Sequence, residues 1–362
     1  NKTMTISGGL IAGGTVARST TSSQGGGNVY AKVATFTMDG GIIADGSVSK
    51  INPDTEAKTT AGGGNLYVNA TNSYIKGGLI VGGEAPAYGG NIYRSGTAME
   101  ISGDTVVAYG IAQGNNGVGG GIYATGTIEK TFINGAYFVN NHADYKGGNI
   151  MATGWFQFNK GAAIGGLASW GANVHSTSIH SAATNWWGQG RHALYGDGDT
   201  TNGEVMILGG KSTAGGASLY CIGEAVLNDV RLGGGTASGG VDLFIGAPGA
   251  DPTKTHNNIV FGETFNDDIT IGYDEGNGER TYGAVINNID ATNLSQYANL
   301  RTDSVSGIPT LFAVDGKLTV ARASVVDALG VENWYLTNNG AEAAFHARSG
   351  DIIYPYAGGE MT

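Results

Sequence analysis

Gly89-Gly90-Asn91-Ile92-Tyr93 is a phrase that this chain repeats, and its recurrence decides the reading of the fold. It returns as Gly26-Gly27-Asn28-Val29-Tyr30, Gly63-Gly64-Asn65-Leu66-Tyr67, Gly119-Gly120-Gly121-Ile122-Tyr123 and Gly147-Gly148-Asn149-Ile150-Met151. With Ser in place of Asn it returns once more as Gly215-Gly216-Ala217-Ser218-Leu219-Tyr220. Degraded forms are Ala172-Asn173-Val174-His175, Ala193-Leu194-Tyr195 and Gly240-Val241-Asp242-Leu243-Phe244. The middle residue therefore falls at 28, 65, 91, 121, 149, 173, 193, 218 and 242, at intervals of 37, 26, 30, 28, 24, 20, 25 and 24. Periods of this size mark a solenoid, in which each repeat is one turn that buries its apolar face only by stacking on its neighbours.

A second phrase follows the first at a fixed distance. Met38-Asp39-Gly40-Gly41, Ile75-Lys76-Gly77-Gly78 and Ile101-Ser102-Gly103-Asp104 begin ten residues after Asn28, Asn65 and Asn91, so two strands per turn are in register. A third apolar segment comes next: Ile42-Ile43, Leu79-Ile80-Val81, Val106-Val107 and Tyr137-Phe138-Val139. The expectation is three short strands per coil, separated by corners where glycine permits positive φ and close backbone approach. The 65 glycines would suit low complexity, but an apolar fraction of 41% is enough for a core.

Alternation along the anchor strand assigns its faces. If Ile92 and its equivalents Val29, Leu66, Ile122, Ile150, Val174, Leu194, Leu219 and Leu243 point inward, Tyr30, Tyr67, Tyr93, Tyr123, Tyr195 and Tyr220 form an outer aromatic column. Met151, His175 and Phe244 fill its gaps, and Arg94 and Ser176 break the inward apolar pattern. Such a column serves either as structural stacking or as a binding or assembly stripe. Asn28, Asn65, Asn91, Asn149 and Asn173 likewise suggest a ladder of side-chain amides running from coil to coil.

Phrases of the Gly-Gly-Asn-Ile-Tyr type, alternating with Ile-x-Gly-Gly-x-Ile-x-Gly phrases, resemble the right-handed parallel β-helix repeats of secreted and cell-surface bacterial proteins, including adhesins. They resemble more distantly the repeats of chlamydial polymorphic outer-membrane proteins, whose Phe-x-x-Asn motif is not regular here. The resemblance covers roughly residues 1–250 and implies a right-handed parallel β-helix in an extracellular or cell-surface setting. Residues 251–362, after the break Ala247-Pro248-Gly249-Ala250-Asp251-Pro252, then read as terminal coils, a cap or a tail.

Composition excludes several classes. Thirty acidic against 19 basic residues, a net charge of −11 and a pI near 4.9 argue against a nucleic-acid partner. The lone Cys221 excludes an intrachain disulfide framework and falls at an inward position. No zinc-type Cys/His spacing occurs, and no apolar run approaches the length of a membrane-spanning helix. The start at Asn1 suggests a processed chain that begins partway through a coil, its missing anchor lying upstream.

An open first edge invites pairing with another chain. Thr3, Thr5, Ile6 and Leu10 at that edge, with Tyr354 and Tyr356 in the tail, are the candidate assembly residues for a head-to-tail contact that would build a filament. Further strands are expected at 258–261, 268–271, 284–286, 311–314 and 317–320, a short helix over 290–300, and a hairpin turning at Asp315-Gly316.

The best candidate for chemistry is Trp186, Trp187, Arg191 and His192, followed by Asp197, Asp199 and Glu204. Aromatic rings stack on sugars, and carboxylates with a cation bind hydroxyls, uronates or a Ca²⁺ ion. The acidic residues share one Gly-rich corner, and the Ca²⁺-loop glycine is absent, so no metal or cofactor is assigned. The leading expectation is a non-catalytic structural or adhesive β-helix that self-assembles end to end into a filament or surface layer, or meets a glycan or host-surface ligand. The rival is a polysaccharide-binding or polysaccharide-cleaving protein using the Trp186 cluster. Asn69-Ala70-Thr71 and Asn293-Leu294-Ser295 match a glycosylation pattern that is common by chance.

Overall fold

Successive copies of the anchor phrase pair in parallel, in the register that the repeat dictates. Val29 lies beside Leu66, and the row continues through Ile92, Ile122, Ile150, Val174, Leu219 and Leu243. A second row runs Met38, Ile75, Ile101, Ile133, Phe158. A third runs Ile43, Ile80, Val107, Phe138, Ala163, Ile207, Leu232. All three are buried and belong to one core. The period-2 alternation that makes these residues β-formers also points them to one side, and each large side chain so buried contributes about 2 kcal/mol.

This computed structural model describes residues 2–17, 25–49, 61–126, 130–177, 192–195, 205–222, 224–227, 230–237, 242–245, 258–261, 269–273, 284–290, 300–302, 310–314, 317–321 and 335–336.

The expected right-handed parallel β-helix, a solenoid of three short strands per coil, is corrected on two counts. First, neighbouring strands fuse. Val29–Met38 and Leu66–Ile75 each carry the anchor and second positions in one ten-residue strand. Ala98–Ala108, Lys130–Val139 and Trp155–Ile164 carry the second and third. The chain bends inside these strands instead of stopping: the register slips between Ser102 and Thr105, where Gly103 and Asp104 take φ of 63° and 57°. Second, there is a fourth position. Thr15–Val16, Ser47–Val48, Glu84–Ala85, Ile111–Ala112, His142–Ala143, Leu167–Trp170 and Lys211–Gly215 form a separate seven-stranded sheet, with Ala112, Ala143 and Ala168 as its own small core.

The molecule is thus all-β and built by long-range parallel pairing. A 26-stranded sheet carries one large apolar core, and the seven-stranded sheet carries its own small one. Each ladder advances one coil at a time. Among the described residues none joins its last strand to its first.

Tyr195 is displaced from its expected place. Its strand, His192–Tyr195, lies between Trp155–Ile164 and Glu224–Leu227 in the second ladder, and the anchor passes directly from Val174 to Leu219. The ring is buried against Phe156, and its hydroxyl meets Ser176 Oγ at 2.5 Å.

The far end of the stack overturns end-to-end assembly. Ala284–Asp290 pairs in parallel with Asn258–Phe261 on one side, but on the other it takes Lys317–Ala321 antiparallel. That strand pairs antiparallel with Thr310–Val314, as the expected hairpin does, and Tyr335–Leu336 adds a further antiparallel strand. A head-to-tail filament needs a free parallel edge at both ends, and here the edge of Ala284–Asp290, where a further parallel strand would pair, is already taken. The filament, surface-layer and adhesive readings, with self-association as the partner, are corrected on this ground. The expectation of a non-catalytic chain rested on them and is withdrawn with them. Residues 291–299, expected as a helix, and Tyr354 and Tyr356 lie outside the described residues; Asp290 ends one strand and Leu300 opens another.

Candidate functional site

The outer face of the anchor ladder carries two rows side by side, because residues two apart on a strand share a face. One row is aromatic through its first four coils: Tyr30, Tyr67, Tyr93 and Tyr123 lie in register, followed by Met151, His175, Tyr220 and Phe244. The other is polar: Lys32, Asn69, Ser95, Thr125, Thr153 and Thr177.

The aromatic row stacks from Tyr30 to Tyr123 and again from His175 to Phe244, with Met151 between, and it is not uniformly exposed. Tyr30 and Tyr67 stack at 5.0 Å with planes 3° apart, Tyr67 meets Tyr93 edge-on at 5.3 Å, and Tyr93 stacks on Tyr123 at 5.5 Å. Tyr30 is 41% exposed, Tyr93 and Tyr123 are half-buried, and Tyr67 is buried. Burial first, then the phenols of Tyr123, Tyr67 and Tyr88, push the Tyr93 hydroxyl up to about 12. Farther along, Trp170 closes over Tyr220 and Phe244 at 5.4 Å from each. His175 is buried and stacked 4.3 Å from Tyr220.

Trp170 and Tyr88 were not anticipated, yet a signal exists. Gly62, Tyr88, Val118, Lys146 and Trp170 bridge one another in parallel, and each stands three residues before an anchor position. Tyr88 packs 5.2 Å from Tyr123 and 5.7 Å from Tyr93 and so shields the flank of the stack.

Where the polar row begins, its members Lys32, Asn69 and Ser95 border a cleft of about 390 Å³. Its lining includes Lys2, Lys32, Asn69, Thr71, Ser95 and Thr97 over a floor of Val33, Ala34, Ala70 and Gly96. Local structure fixes these groups. The Lys2 carbonyl accepts hydrogen bonds from the Ala34 and Thr35 amides, which pins the first strand to the second coil. Tyr67 and Ser95 hydroxyls lie 2.8 Å apart. Gly96 allows the chain to cross the floor: a Cβ there would sit 2.0 Å from the Ala70 carbonyl oxygen.

The asparagine row lies at an inner corner and is structural. Asn28 Nδ2 donates to Asn65 Oδ1 at 2.7 Å, Asn65 to Asn91 at 2.7 Å, and Asn149 to Asn173 at 2.7 Å. Arg94 occupies an inward position of its strand and is fully buried; it donates to the carbonyls of Gly96, Thr125 and Lys130 and to the Thr131 hydroxyl.

The other sequence candidates fall elsewhere. Trp186, Trp187, Arg191, Asp197, Asp199 and Glu204 lie outside the described residues, and His192 opens the strand beside Glu224. Thr3, Thr5 and Leu10 are exposed, whereas Ile6 joins the core. Cys221 is buried and unbridged, and burial pushes its thiol up to about 12. Among the described residues no group of three or more His, Cys, Asp or Glu side chains is placed to hold a metal ion, and no helix is long and apolar enough to cross a membrane.

No family model, curated protein or solved structure matches this chain. The resemblance to bacterial adhesins and chlamydial surface proteins is corrected accordingly and carries no function here.

Proposed function

We propose that this chain binds polysaccharide along the outer face of the anchor ladder, in an extracellular setting where such polymers are met. The observation that supports this reading is the pairing of the two rows. An exposed aromatic ring, Tyr30, stands beside hydrogen-bonding side chains that recur once per coil, at a spacing of ~4.8 Å, and that lead into a cleft. A polysaccharide presents the matching pattern, apolar ring faces alternating with hydroxyls at regular intervals. Tyr30 supplies the platform, and Asn69, Ser95 and Thr97 supply donors and acceptors.

Native electrophoresis in gels containing a panel of polysaccharides, with reducing ends assayed in parallel, tests the reading. Retardation without new ends is binding, and new ends identify cleavage. Tyr30→Ala and Asn69→Ala are expected to abolish retardation at unchanged thermal stability. Free migration in every gel overturns the proposal. So does retardation lost on Trp186→Ala but kept on Tyr30→Ala, which would move the site to the tryptophan cluster.

A further inference from the structure

We infer that the cleft takes the acidic group of an anionic saccharide, a uronate carboxylate or a sulfate ester; this rests on the polysaccharide reading above. Among the described residues its lining holds two lysines, Lys2 and Lys32, and no carboxylate. That is an unusual patch in a chain with 30 acidic and 19 basic residues and a net charge of −11. An anionic polymer approaching such a surface is repelled nearly everywhere, so a local pair of cations decides where it settles.

The arrangement suits an oxyanion in more than charge. Lys32 lies mid-strand in Val29–Met38, in register with Asn69, so its backbone is fixed by that ladder neighbour. Lys2 approaches from the first strand, whose backbone is bonded to Ala34 and Thr35. Asn69, Thr71, Ser95 and Thr97 add neutral donors on the same lining. Two ammonium groups and several hydroxyl or amide donors around one cleft provide the charge-assisted hydrogen bonds that carboxylate and sulfate oxygens accept. Tyr30, on the same strand face as Lys32, remains available to the adjoining sugar ring.

Calorimetry with the full chain tests this, using a galacturonate oligomer, a sulfated galactan oligomer and a neutral galactan oligomer of equal length. The expected result is binding about tenfold or more tighter for an anionic oligomer than for the neutral one, weakening as salt rises. Lys32→Gln and Lys2→Gln should each remove most of that preference. Uronate binding should disappear on acidification through the carboxylate range, while sulfate binding persists, which separates the two sources. Equal affinity for the neutral oligomer, or a preference untouched by both lysine variants, overturns this inference and leaves polysaccharide binding standing. Binding of none of the oligomers, with free migration in every polysaccharide gel, overturns the broader reading as well.

Discussion

Asn141 stands where the repeat has no asparagine to offer. The anchor phrase carries Gly121 in the fourth coil, and Asn141, from a corner later in the same coil, places its side chain in the resulting space. It accepts from Asn91 Nδ2 at 3.1 Å and donates to Asn149 Oδ1 at 2.8 Å, so the amide ladder runs unbroken from Asn28 to Asn173. A Cβ on Gly121 would sit 2.9 Å from Asn141 Nδ2, which explains the glycine. Five members were legible because they share one position in the phrase; the sixth was not, because it reaches the ladder from another part of the coil. Removing Asn91 strips partners from the Gly83 amide and the Ala108 carbonyl and interrupts the chain between Asn65 and Asn141. Asn91→Ala should therefore cost about 3 kcal/mol in urea unfolding. The ladder stops at buried Ser218, beyond Asn173, and Ser218→Asn should extend it and raise stability by about 1 kcal/mol in the same assay. His175 gives the residue-scale pH dependence. Burial, then the nearby Lys146 charge, hold its imidazole well below 6.5. As pH falls below that value the unfolded chain takes up a proton that the folded chain refuses, so stability is full above about 6.5 and declines below it, by at most about 1.4 kcal/mol per pH unit. His175→Phe should flatten the fall in melting temperature between about pH 7 and about pH 5.

At the scale of the element, fused strands show what glycine placement does. Trp155–Ile164 passes from the second ladder to the third without a break, and Gly161 sits at the bend with φ of 120°. A Cβ there would lie 2.1 Å from the Ala136 carbonyl oxygen of the neighbouring coil. Gly209 also has positive φ, 63°, but its Cβ would meet only the Gly165 nitrogen at 4.0 Å. Gly209→Ala should cost about 1 kcal/mol, the left-handed backbone alone. Gly161→Ala adds a backbone collision and should cost about 3 kcal/mol or more, read as the difference between two urea midpoints. The sequence spacing located these glycines and the strands on either side. It did not show that the strands continue through them, because a glycine inside a bend and one at a corner look alike until the neighbouring coil is in place. The fourth strand position was illegible for another reason: several of its strands are two residues long, too short for any alternation to register. Ala193-Leu194-Tyr195 misled in the opposite direction. Its apolar-aromatic triplet copies the anchor pattern but lacks the preceding Gly-Gly-Asn, and the structure uses it in the second ladder.

For the whole molecule, the decisive contrast lies between the parallel stack and the strands that end it. Parallel ladders have no intrinsic length, since each coil offers the next one the edge it received. Something must therefore terminate growth, and here the change of direction at Lys317–Ala321 does so: an antiparallel strand occupies the edge of Ala284–Asp290 where another parallel coil would pair. The antiparallel neighbours Thr310–Val314 and Tyr335–Leu336 continue outward from it and do not regenerate a coil. Removing residues 303–362 takes all three strands away and leaves the last parallel pairing uncovered. The shortened chain should associate with rising concentration in sedimentation velocity, whereas the full chain should sediment as one species across the same range. Association of the full chain would show that the antiparallel strands do not close the edge, and a monomeric shortened chain would place the barrier elsewhere in the stack. The predicted result makes the outer face, with its aromatic and polar rows, the surface left free for a partner that is not a second copy of the chain.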